Sequence, residues 1–131
     1  MRMLPDGNAL LTLSRQTVLD ELLPLLPESA HYAARMVANA IAIAQRQLIA
    51  GEQALHDQLD HINAWEAAAA LPPSASLACA WEVLAKAINK GALDGDAATS
   101  AAGRELLWQL TVSRLHESSP KALKALNLAT R

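Results

Sequence analysis

The sequence predicts an all-α protein, and three observations carry that prediction. Alanine and leucine dominate the composition, with three Trp, one Tyr and no Phe, and Ala and Leu rank among the strongest helix formers. No stretch alternates apolar and polar residues over strand length, whereas five segments repeat apolar residues at helical spacing. Clusters of Pro and Gly separate those segments. The expected architecture is a compact bundle of five helices plus a short C-terminal helix. It is arranged around a central hydrophobic helix at about residues 29–50, within one domain covering 1–131.

Leu4-Pro5-Asp6-Gly7 reads as a turn, with Asp6 or Asn8 available to cap the first helix. That helix carries Leu10, Leu11, Val18, Leu19, Leu22 and Leu23 as an apolar stripe, with Ser14, Arg15 and Gln16 on the wet side. Pro24 ends or kinks it, because proline cannot donate to the helical ladder. Leu25-Leu26-Pro27 is then a short connection, which predicts that the first two helices pack antiparallel.

The central helix runs from Ser29, its expected N-cap, to Gly51. Between Ala33 and Ala44 only Arg35 and Asn39 are polar. Arg35, Asn39, Ala42 and Arg46 fall on one narrow stripe, while Met36, Val37, Ile41, Ile43 and Leu48 cover most of the rest. A helix so apolar around its circumference predicts neighbours on at least two sides. The apolar run is too short and interrupted for a membrane span, which takes about 20 residues.

After Gly51, a kink or a clean break, a third helix is expected at about 52–70 with Leu55, Leu59, Ile62 and Trp65 at helical spacing. Leu71-Pro72-Pro73-Ser74 stops it. The fourth helix, about 76–90, places Leu77, Trp81, Leu84 and Ile88 on one side, and Gly91 ends it. Leu93, in the turn-rich stretch 91–96, is expected to plug back onto the core. The fifth helix, about 97–116, carries Leu106, Leu107, Leu110, Val112 and Leu115, with Trp108 on or beside that face. Gly103 is expected to weaken or kink it. Ser119-Pro120 pairs an N-cap with proline at the first helical position and starts the last short helix, with Leu123 and Leu126.

The segments ARMVANAIAIAQRQLIAG at 34–51, AINKGALDGD at 87–96 and RLHESSPKAL at 114–123, with the Leu-rich opening helix, resemble a bacterial family of small helical domains of unknown function. The resemblance covers nearly the whole chain and is most specific in the central helix, with Arg35, Asn39 and Arg46 in register. Gln45 and Gln47 stand where the family pattern has acidic residues. Ser119-Pro120-Lys121-Ala122 replaces its Asn-Pro-basic-aromatic ending. The resemblance implies an all-helical fold and an association with aminoglycoside-phosphotransferase-like kinases and acyl-CoA dehydrogenases. It implies no activity.

The formal net charge of −2 and the pI near 6.0 give no electrostatic footprint for nucleic acid. Arg114, His116, Lys121, Lys124 and Arg131 make a mildly basic end that helix dipoles account for. A single Cys excludes an internal disulfide and fits a reducing compartment. The opening residues lack the apolar core and cleavage site of a secretory signal, so the expected location is cytoplasmic. His56/Asp60 and Asp57/His61 each place an imidazole and a carboxylate on one helical face, but without a third ligand no transition metal is expected. A helical di-iron site uses two Glu-x-x-His pairs, and this chain has only one, Glu28 and His31, which straddles a helix start. Cys79, between Ala78 and Ala80, reads as a small structural filler without a neighbouring base. Gly91, Gly95 and Gly103 do not form a phosphate loop.

No catalytic constellation and no cofactor motif emerges. The stripe of Arg35, Asn39 and Arg46 is the candidate site. It reads as a narrow exposed edge, as internal pairing of Arg35 with a carboxylate such as Glu21, Glu66 or Glu82, or as a small anion or carboxylate site between helices. The expectation is that Arg35 and Asn39 hold the bundle together by hydrogen bonding. The leading functional expectation is a non-enzymatic interaction domain that forms a homodimer and partners a phosphotransferase-like kinase or an acyl-CoA dehydrogenase. The alternative is a helical pocket for a small metabolite, an acyl-CoA or a carboxylate, with or without catalysis.

Overall fold

The structure, a computed structural model, describes residues 4–126. It is all-α, with no strand among those residues. Five α-helices occur among the described residues: α1 (Gly7–Gln16), α2 (His31–Ala68), α3 (Leu77–Asn89), α4 (Ala98–Ser118) and α5 (Pro120–Ala125). α2 is interrupted at Gly51, whose φ of 64° and ψ of −162° lie outside helical geometry. Glycine alone adopts that backbone at little cost. The chain forms two compact units, one ending at Gly51 and the other beginning at Glu52.

In the first unit, Asp6 caps α1 by accepting a hydrogen bond from the Ala9 N–H at 2.8 Å. Past Gln16 the chain does not stop sharply at Pro24. It widens into a π turn, Thr17–Leu22, and then tightens into a 3-10 turn, Leu23–Leu25. Pro24 has no N–H to offer Asp20, so regular α spacing cannot continue there. Ser29 is not an N-cap: it lies within a second 3-10 turn, Glu28–Ala30, and α2 starts two residues later. His31 Nε2 instead donates to the Leu26 carbonyl at 3.0 Å.

The two helices of this unit are joined by the Gln45 amide, which donates to Asn8 Oδ1 and Thr12 Oγ1, each at 2.7 Å. Gly7 faces Leu48 while Thr12 faces Gln45, the order that an antiparallel pair requires. The face of 31–50 turned to α1 is small: Ala34 and Ala38 are buried. The expected cover on the larger apolar residues is not there. Met36, Val37 and Leu48 remain 48–51% exposed, because one neighbouring helix covers only the arc that Ala34, Ala38 and Gln45 occupy.

The hydrophobic core lies in the second unit. Ile62 and Trp65 from α2, Ala80 and Leu84 from α3, Leu93 from the 91–96 loop, and Leu106 and Leu110 from α4 form one buried cluster. Leu123 of α5 is also buried. Leu93 plugs onto the core as its spacing predicts. Trp81 and Trp108 are substantially exposed. Cys79 is exposed as well and does not fill the core; that place belongs to Ala80, one position on.

Gly103 does not kink α4, which runs unbroken from Ala98 to Ser118. It is buried where Trp65 and Leu93 meet the helix. A methyl group at Gly103 would come within 2.9 Å of both Leu93 Cγ and Trp65 Nε1. The Trp65 indole N–H donates to the Thr99 carbonyl at 3.0 Å.

Polar groups fix the two loops of this unit. Ser74 donates through its N–H to Glu66 Oε2 (2.9 Å) and Asn63 Oδ1 (2.9 Å), and through its hydroxyl to Glu66 Oε1 (2.7 Å). Glu66 is fully buried, so these bonds replace the water its carboxylate would lose. In the other loop, Ser100 Oγ donates to the Ala92 carbonyl at 2.8 Å, and the Arg104 guanidinium donates to the carbonyls of Leu93 and Gly95.

Two stability outcomes follow. Gly103→Ala overpacks the contact with Trp65 and Leu93 and is expected to destabilise by about 1–3 kcal/mol in urea melts. Ser74→Ala leaves a buried carboxylate oxygen short of a donor and is expected to cost about 1–3 kcal/mol. A loss of less than about 0.5 kcal/mol, the level of an ordinary surface change, would contradict either account.

Candidate functional site

The polar stripe of the sequence is a surface feature. Arg35 and Asn39 are exposed, and Arg46 is half-buried. Among the described residues the side chains of Arg35 and Asn39 form no hydrogen bond or ion pair, so they do not tie helices together. The three carboxylates considered as partners are placed otherwise. Glu66 is committed to Ser74, Glu82 lies 3.8 Å from Lys86, and Glu21 is exposed.

The paired His and Asp residues are also on the surface. His56 Nδ1 donates to the Glu52 carbonyl at 2.9 Å, and Asp57 accepts from Gln53 at 2.7 Å. Asp57 and His61 line a groove of about 260 Å³ with Gln109, Leu110 and Ser113. Among the described residues, no three His, Cys, Asp or Glu side chains converge as a metal would require. Of the basic C-terminal residues, Arg131 lies outside the described part.

Two features missed by the sequence reading are built into the surface. The first is an exposed seam on residues 31–50. Ala33, Val37, Ala40, Ala44 and Gln47 are all exposed, at alternating steps of four and three. Tyr32 and Met36 flank it, 75% and 48% exposed. Such spacing keeps one face of a helix in line with a partner helix, and the small side chains permit close approach.

The second is a cleft of about 560 Å³ on the second unit. Trp65 and Leu71 border it on one side, and Val83 and Lys86 of α3 with Lys90, just past the end of that helix, on the other. Alanines at 68–70, 87 and 92 line much of the remainder, and their short side chains are what leave the space open. Ala70 closes α2 in the left-handed region, with φ of 56°. The Leu71 N–H bonds back to the Glu66 carbonyl at 2.8 Å and the Ala70 N–H to that of Ala67 at 3.1 Å. The sequence signals for this cleft were the alanine run 67–70 and the Lys86/Lys90 spacing, each of which alone reads as ordinary helix surface.

No helix among the described residues is long and apolar enough to cross a membrane. With their side chains in water, Arg35→Met and Asn39→Ala are each expected to change stability by less than about 0.5 kcal/mol. Urea melts check this, and a loss near 3 kcal/mol would mean that the stripe holds buried partners.

No curated protein and no solved structure matches the chain. The family model for DUF6285, a domain of unknown function, matches residues 24–122. That span takes in the resembling segments at 34–51, 87–96 and most of 114–123. The chain belongs to the DUF6285 family.

Proposed function

We propose that this chain is a non-enzymatic interaction domain that self-associates as a homodimer through the exposed seam of residues 31–50. The observation that carries the reading is the seam itself: Ala33, Val37, Ala40 and Ala44 are exposed, with Tyr32 and Met36 beside them. A helix spends little free energy keeping one alanine in water, but a continuous apolar face of this length is a liability unless covered. Two heptads are too few for an independent coiled coil, which takes about three to four. The partner helix is therefore held in place by its own unit.

A two-fold arrangement suits the seam because the same patch serves both copies. The family match crosses Gly51, which supports reading the two units as one domain of 1–131. An unpaired, exposed Cys79 is compatible with a reducing, cytoplasmic setting. The kinases and acyl-CoA dehydrogenases that the resemblance implies are the heterologous partners to test against the same face.

Ala40 sits mid-seam and meets its own copy near a two-fold axis, so Ala40→Arg sets like charges against each other. Light scattering should report a dimer for the unaltered chain and a monomer for Ala40→Arg, with unchanged far-UV circular dichroism. A monomer for the unaltered chain from micromolar to millimolar concentration would overturn the reading.

A further inference from the structure

We infer that the cleft between Trp65 and the Lys86/Lys90 edge of α3 binds a small amphipathic anion, an aliphatic tail with a carboxylate head. This goes beyond self-association and uses a different unit of the chain. At about 560 Å³ the cleft falls within the range of roughly 300–1,000 Å³ typical of small-molecule sites. Its walls are apolar apart from the lysine edge and Thr99, and none of its lining residues is acidic.

The charge at that edge selects the head group. Lys86 and Lys90 are one helical turn apart, and like charges at this spacing repel. An anion placed between the two ammonium groups converts that repulsion into two charge-assisted contacts. Both are available for it. The Lys90 ammonium forms no hydrogen bond or ion pair among the described residues; the residue bonds through its backbone N–H to the Lys86 carbonyl. Lys86 has only Glu82, at 3.8 Å with both side chains more than 70% exposed, and an ion pair so wet contributes little.

The tail follows from the walls. Alanines, Leu71, Val83 and the Trp65 ring make up most of the wall. Away from the lysines Thr99 is its one polar lining residue, so a polar tail would lose most of its hydration without replacement. The walls are also held before any ligand arrives. Trp65 is tied to Thr99, Ala92 to Ser100, and Ala70 and Leu71 to the end of α2. A site already ordered loses less entropy on binding.

Isothermal titration of the full chain with sodium decanoate, kept below its micelle concentration, tests the assignment. Decanol supplies the tail without charge, and acetate the charge without tail. The expected result is one saturable site for decanoate, with decanol and acetate each weaker by roughly tenfold or more. Lys86→Gln/Lys90→Gln should weaken decanoate by a similar factor without altering its circular dichroism. Ala68→Phe, which fills the cleft from an exposed position, should abolish binding.

Equal affinity for decanol, binding indifferent to the lysine pair, or heats that never saturate would each overturn the proposal. Should Ala68→Phe misfold, the lysine variant decides alone, because both lysines are exposed. The Ala40→Arg monomer is expected to retain decanoate, so failure of dimerisation and failure of this site are told apart.

Discussion

The second unit depends on the contact between the Trp65 ring and the backbone of α4 at Gly103. Thr99 and Gly103 are one turn apart, so the glycine opens the surface over which the indole reaches the Thr99 carbonyl. A carbonyl has two lone pairs and can accept this donor as well as its helical one. The neighbouring positions on the same two turns, Ser100 and Arg104, hold the carbonyls of the 91–96 loop and so seat Leu93 against Trp65. One end of α4 thus places a helix, a loop and the core between them.

Polar groups rather than apolar area settle where the loops go. The Pro72-Pro73 turn offers few N–H groups, and Ser74 supplies two donors at once to a carboxylate that has no access to water. At two helix ends the chain uses the same closing geometry with different residues. Gly91, at φ of 75°, ends α3 with the Ala92 N–H bonded to the Ala87 carbonyl, and Ala70 ends α2 in the same way. Glycine takes that conformation without penalty, whereas alanine gives up roughly 1–2 kcal/mol.

The helices were legible in the sequence because Pro and Gly punctuate strong apolar periodicity. Asp6 as a cap, the break at Gly51 and the docking of Leu93 all follow from local residue chemistry. What the sequence hid was which apolar faces find neighbours. Hydrophobicity marked 31–50 as the helix to be surrounded, yet Ala34 and Ala38 are its buried residues and the deepest side chains belong to the segment after Gly51. Periodicity reports that a face is apolar, not what covers it. Gly103 was misread for a related reason: a glycine in a helix signals weakness along the chain, while its role here is set by Trp65, far off in sequence. The candidate cleft was invisible because it is made of alanines, which announce nothing singly and matter only as the space they leave.

The unequal burial of the three tryptophans has a spectroscopic consequence. Trp65 is 5% exposed, against 39% for Trp81 and 46% for Trp108. Iodide in solution can collide with the two outer indoles but not with the inner one. Emission that survives quenching therefore comes from Trp65, whose ring packs on Gly103 and borders the cleft. The chain carries its own optical reporter on the state of the second unit's core, with no label attached.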